Sequence, residues 1–192
     1  MVRVNRVMNN VLDILRAEFA DRMEGGSLSY NGLDDNTPLR WDRMTIQVQM
    51  PDLDEGRDTG EVDNEGYPVP DTSDVCGFAL LPTTDTTRIT GQNHLRFPST
   101  DVELNLIVWA SIKDENNILL LVNALAAVAE KLLWENQGLS HPETGDEAAT
   151  SVSYLNSETD IDTGSEGLLP VAIVVQTWEV STNPNKRIEL KP

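Results

Sequence analysis

Asp101–Gly138, DVELNLIVWASIKDENNILLLVNALAAVAEKLLWENQG, joins a regularly alternating strand, a short acidic turn and an apolar helix. Val102, Leu104, Leu106, Val108, Ala110 and Ile112 take the even positions of its first part. Asp101, Glu103, Asn105, Ser111 and Lys113 fill most of the odd ones, with Ile107 and Trp109 the exceptions. Strand side chains point alternately to opposite faces, so this spacing predicts a sheet strand with one oily face. Asp114–Asn117 then offers short polar side chains that can cap a helix, with negative charge near its positive end.

From Ile118 to Trp134 the strongly polar residues are Asn123, Glu130 and Lys131. Ile118, Leu121, Val122, Leu125, Ala129, Leu132 and Leu133 follow the spacing of one buried helix face. Leu119, Leu120, Ala126, Ala127 and Trp134 fall largely elsewhere on the circumference, where a surface helix carries charge. A helix apolar nearly all round is covered on more than one side. Either a second layer of the same chain covers it or a neighbouring subunit does. In the second case these five residues are the candidate subunit interface. The polar interruptions make the segment a poor membrane span, and no other stretch qualifies as one.

The 192 residues suffice for one domain with a proper core and are short for two. The formal net charge of −18 would repel phosphates, which disfavours a sequence-reading DNA-binding role. The cations are mostly Arg, and Asp and Glu coat the loops. Excess carboxylate with scarce Lys fits adaptation to high salt, which would screen the self-repulsion of so charged a fold. The single cysteine, Cys76, excludes an internal disulfide. The opening Met1-Val2-Arg3-Val4-Asn5-Arg6 lacks the apolar core of a secretory signal.

Outward from the central pair, the first helix is predicted over Asn5 to about Glu24. Its stripe is Val4, Val7, Met8, Val11, Leu12, Leu15 and Phe19, and Gly25-Gly26 stops it. Trp41–Met50 alternates as a half-buried strand, ended by Pro51. Asp52–Asp74 is too polar to bury a core and is expected to be an exposed acidic loop. Val75–Leu81 is a short predicted strand and Pro82–Thr100 a connection, within which Thr86–Ile89 and His94–Phe97 can pair as a hairpin. Beyond the helix, Ala149–Leu155 is a predicted strand, Asn156–Gly167 a turn and Leu168–Ser181 the last strand. Val171–Val175 runs apolar without a break, so that last strand is expected to be covered on both faces. The expected fold class is α+β: a mainly antiparallel sheet packed by an N-terminal helix and a long apolar central helix, with extended acidic loops. It forms a single domain over 1–192, with an acidic insertion at about 51–100 and a polar C-terminal tail at 182–192.

Reactive constellations are missing from the sequence. His94 and His141 stand in polar loops without ligand-like spacing, and Cys76 has no partner, which argues against a zinc site or a Cys–His pair. No Gly-rich loop joins a strand to a helix to cradle phosphate. Asp52–Gly56 and Asp160–Glu166 are oxygen-rich without the full pattern of a calcium loop. No catalytic residue, cofactor or metal is assigned, and the chain is not expected to be an enzyme.

The order of parts resembles the tail terminator, or tail-completion, proteins of long-tailed viruses. The resemblance rests on the N-terminal helix, the strand Met44–Met50, a variable loop, the strand–helix pair Val102–Gly138 and the C-terminal hairpin. The hairpin is the most family-like piece. Leu155-Asn156-Ser157-Glu158-Thr159-Asp160-Ile161-Asp162 enters an acidic turn, and Gly167, Pro170 and Ala172 lead into Val174-Val175-Gln176-Thr177-Trp178-Glu179-Val180. The segment Asp52–Thr100 is longer than in such chains, and the sequence continues past their usual end, through Pro184 to Pro192.

The resemblance implies a virion protein assembled in the host cytoplasm. It would form a ring, typically a hexamer, on the head-proximal end of the tail tube, where it stops tube growth and docks the head–tail connector protein. Its partners would be further copies of itself, the tail tube protein and that connector. DNA would pass through the ring without specific binding, and no membrane is involved. Arg88, His94, Arg96, Trp109 and Trp178 are the candidate tube or connector contacts. Loops such as Asp52–Asp74 would keep a further tube ring from adding. With the charge pattern, the source would be a halophilic (haloarchaeal) tailed virus. The alternatives are another neck or tail-tube ring protein, an acidic DNA mimic and a carboxylate-based hydrolase.

Overall fold

The structure, a computed structural model, describes residues 2–24, 45–47, 58–62, 64, 68–70, 75–90, 97–112, 117–162 and 170–182. The chain is α+β, and its described residues form two helices and a five-stranded, mostly antiparallel sheet. The elements are α1 (Val2–Glu24), β1 (Thr45–Gln47), β2 (Asp58–Val62), β3 (Pro68–Pro70), β4 (Val75–Thr90), β5 (Phe97–Ser111), α2 (Ile118–Glu135), β6 (Ser151–Asp162) and β7 (Val171–Thr182). The main sheet runs β1-β4-β5-β7-β6, with β1 parallel to β4 and every other pair antiparallel.

The alternation in β5 decides which face is covered. Val102, Leu104, Leu106, Val108, Ala110 and Ile112 are all buried and belong to one core with residues of both helices. On β7, Ala172, Val174, Gln176, Trp178 and Val180 are buried, while the intervening residues are half-buried. The unbroken apolar run of β7 therefore has one fully covered face rather than two. α1 packs against β4 and β1, and α2 against β5 and β7. Phe19 of α1 meets Phe78 of β4 edge to face at 4.6 Å. The Arg16 guanidinium donates to the Ile46 carbonyl at 2.8 Å, tying α1 to the three-residue β1.

Two strands run further than their hydropathy announced. β4 continues past Pro82 through a bulge between Pro82 and Thr84 and stays paired with β5 as far as Thr90↔Phe97. A bulge is where a strand tolerates a residue that has no N–H to donate. The Thr83 hydroxyl lies 3.1 Å from the Glu103 carbonyl and 2.9 Å from its carboxylate, pinning the bulge. The expected hairpin arm Thr86–Ile89 is there, but it pairs with Pro98–Asp101 rather than His94–Phe97. β6 likewise extends through Asn156–Asp162, a span expected to be turn. There β7 supplies a full ladder of partners for residues with no oily alternation of their own. Within the expected acidic loop, β2 and β3 form a separate antiparallel pair.

Asn10 is a buried polar residue that ties α1 to the segment following α2. Its amide donates to the Leu139 carbonyl at 2.6 Å and the Asp146 carbonyl at 3.0 Å. Leu139 has a positive φ of 44°, so its backbone is held by this tie and by its N–H to the Asn136 carbonyl. Asn10→Ala removes one donor from each carbonyl, while the Ala148 N–H still reaches Leu139 at 3.3 Å and the His141 N–H still reaches Asp146 at 3.0 Å. It is expected to cost about 0.5–1.5 kcal/mol in chemical denaturation, the range for a lost hydrogen bond.

Candidate assembly surface

The outer face of α2 is built by the same periodicity that buries its inner one. Ile118, Leu121, Val122, Leu125, Ala126, Val128, Ala129, Leu132 and Leu133 are buried. Leu119, Leu120, Ala127 and Trp134 stand on the solvent side with Asn123 and Lys131. Leu120 is 57% exposed and Trp134 52%, with Leu119 at 37%. Four of the five residues expected at a subunit interface thus share one exposed helix face. Ala126 does not: it is buried against the sheet, and its carbonyl accepts the Gln176 amide at 3.0 Å. A small side chain reveals little about its side of a helix, and here it marks the close approach of α2 to β7.

The expected tube or connector contacts separate. Trp109 and Trp178 are buried, at 2% and 1% exposure, so neither indole is a surface contact. Trp178 lies on the helix-covered face, opposite Leu104 on β5, and stacks edge to face on Tyr154 at 5.2 Å. Trp109 is on the other face of β5, opposite Ile173. Strand position alone did not tell a covered indole from an exposed one. Arg88 sits on β4 opposite Ser99, while His94 and Arg96 lie outside the described residues.

A second exposed element went unnoticed in the sequence. β6 borders the sheet, with β7 on one side and no described strand on the other. Leu155, at the bulge between Tyr154 and Asn156, is 49% exposed, and Ile161 is 37% exposed. Ser157, Glu158, Thr159 and Asp160 between them are exposed too. The Ile161 N–H is taken by the Asp160 carboxylate at 2.9 Å. A polar strand wet on both faces resembles a turn in composition, and its β7 ladder is what separates the two.

The described polar groups elsewhere serve the scaffold. Arg22 of α1 and Glu135 of α2 form an exposed ion pair at 2.6 Å. A shallow cleft of about 450 Å³ is lined by Asp13, Arg16, Ala17, His141, Pro142 and Glu143. There His141 Nε2 lies 3.5 Å from Asp13, and Nδ1 accepts the N–H groups of Glu143 and Thr144 at 3.1 and 3.3 Å. Among the described residues no three His, Cys, Asp or Glu side chains converge as metal ligands. No described helix is long and apolar enough to cross a membrane.

Cys76 is buried on β4, and burial pushes its thiol from 9.0 up to about 12. The thiolate is the reactive form, so Cys76 is expected to resist thiol reagents at pH 8 in the folded protein and to react once denaturant unfolds it. The stability gained by keeping this thiol neutral is complete below pH 9 and drains away as pH rises toward about 12. A base titration followed by circular dichroism should show that slope, and Cys76→Ala should flatten it. Compared with protein-family models and with curated proteins, the sequence matches none.

Proposed function

We propose that the chain is the subunit of a ring that closes the head-proximal end of a viral tail tube and docks the tail to the head connector. The observation that carries this reading is the outer face of α2. Leu119, Leu120, Ala127 and Trp134 leave a line of apolar surface along a helix whose other side is already fully used by the core. Large apolar side chains exposed together on one helix side, here around Asn123, are the kind of surface that takes part in protein contacts. A long apolar central helix with oily residues on both sides is what a subunit packed between neighbours requires, and a closed ring supplies two neighbours to every copy.

Two further features support it. A net charge of −18 suits a conduit through which DNA slides without sticking. The excess of carboxylates also fits a halophilic virus, in whose host salt would screen the repulsion between adjoining subunits. In this reading a hexamer stands on the last ring of the tube, and the acidic segment around Asp52–Asp74 denies the next tube ring a seat.

The test is light scattering on the purified protein at high salt, alone and with tube protein. Closed rings alone, and tubes that stop growing when the protein is added, are the expected results. Open-ended polymers of the protein by itself would make it a tube subunit instead. A monomer that binds no tube component at any concentration would overturn the proposal.

A further inference from the structure

We infer that the main sheet continues from copy to copy, the outer edge of β4 in one chain pairing with the outer edge of β6 in the next. The inference rests on the reading that the chain assembles with itself, and it names the backbone that would join.

Both borders of the sheet are open among the described residues. β6 has β7 on one side and no described strand on the other. β1 flanks β4 at Gly77, Phe78 and Ala79. The later part of β4 stays paired with β5 as far as Thr90 and has no described strand outside it. Sheet edges of this kind present unpaired backbone N–H and C=O groups and accept a further strand.

Within one chain these two edges cannot meet. β5 and β7 lie between them, which sets β4 and β6 about 14 Å apart, three strand spacings. From β4 to β6 each strand runs antiparallel to the one beside it, so β4 and β6 point in opposite directions. A second copy that extends the sheet with its helices on the same side therefore offers β4 antiparallel to β6.

Register decides which positions come together. Arg88 stands opposite Ser99, which shares the odd face of β5 with Trp109. Trp109 stands opposite Ile173, and Ile173 opposite Asp160. Arg88 and Asp160 thus occupy the sheet face away from the helices. Ile89, through Pro98, and Ile161, through Ala172 and Ala110, trace to the helix-covered face. Directly opposed residues of an antiparallel pair share a face. Setting Arg88 against Asp160 puts Thr90 against Glu158 and Thr86 against Asp162. On the other face Thr87 meets Ile161, and Ile89 meets Thr159, diagonal to Ile161. No two like charges are opposed along 86–90 and 158–162, and Arg88 lies among Glu158, Asp160 and Asp162.

Charge also selects this joint over a symmetric one. β6 laid fully on β6 over 158–162 opposes Glu158 to Asp162 and Asp160 to itself. β4 laid on β4 over 86–90 opposes Arg88 to Arg88. Only the unlike borders are complementary there. A contact between opposite borders of one subunit is head-to-tail, the kind that closes into rings.

Two full-length variants test this. One carries Arg88→Glu, the other Glu158→Lys with Asp160→Lys, each compared with the unaltered protein by light scattering at the lowest salt at which that protein still assembles. Each variant alone opposes like charges at the joint and should need at least about tenfold more protein to assemble. An equal mixture should recover assembly, because copies that alternate around a ring bring β4 and β6 edges of opposite charge together at every joint. Wild-type behaviour of either variant alone, or a mixture no better than its components, would overturn the shared sheet while leaving the ring reading to the α2 face. An unaltered protein that is monomeric throughout would overturn both.

Discussion

Trp178→Ala should destabilise the fold by about 3–5 kcal/mol, the usual cost of deleting a large aromatic from a core. Trp178 is 1% exposed and stands where every layer meets. With Val11 of α1, Leu80 of β4, Leu104 and Leu106 of β5, Leu133 of α2 and Val152 of β6, it surrounds a residual void of only about 10 Å³. Removing the indole enlarges that void at a point where three strands and two helices already fix the walls, so little of it can collapse. The indole N–H, however, is buried with no hydrogen-bond partner among the described residues. Trp178→Phe discards that unpaired donor along with part of the volume, and should cost under about 1.5 kcal/mol. Urea denaturation of the two variants measures the contrast. Equal losses would mean that the site relaxes around whatever occupies it.

Leu120→Glu combined with Trp134→Glu should have the opposite profile: assembly lost, fold retained. Both side chains are more than half exposed, and surface replacements usually shift stability by no more than about 0.5 kcal/mol. At an assembled contact each would instead bury an unpaired carboxylate, which interfaces tolerate poorly. The double variant should sediment as a monomer with an almost unchanged melting temperature. Persistence of the wild-type assembly would remove α2 from the contact.

The sequence revealed most where burial was one-sided. The six even positions of Val102–Ile112 and the inner stripe of α2 are legible because a strand or helix half in oil writes its period into the residues. β6 is the counterexample. Ser157, Glu158, Thr159 and Asp160 face water on both sides, so they carry no period, and their strand state is conferred by β7. Pro82 misled for a related reason. It looks like a strand end, yet β4 absorbs it in a bulge, a tertiary accommodation that no local pattern announces. The candidate site divides in the same way. Leu119, Leu120, Ala127 and Trp134 could be placed on the outer helix face by spacing, whereas the depth of Ala126 and of the two strand indoles depended on what packs over them.

Gln176 is a buried amide in an oily layer, and one of its atoms, Oε1, has no partner among the described residues. Its other end grips the Ala126 carbonyl at mid-helix. Sliding the helix by about half a turn, roughly 2.7 Å, would pull that carbonyl out of reach before the next turn's carbonyl arrives. Helix and sheet are thus keyed together like a ratchet with one tooth. A shift of α2 along its axis therefore cannot occur without breaking this tie to β7.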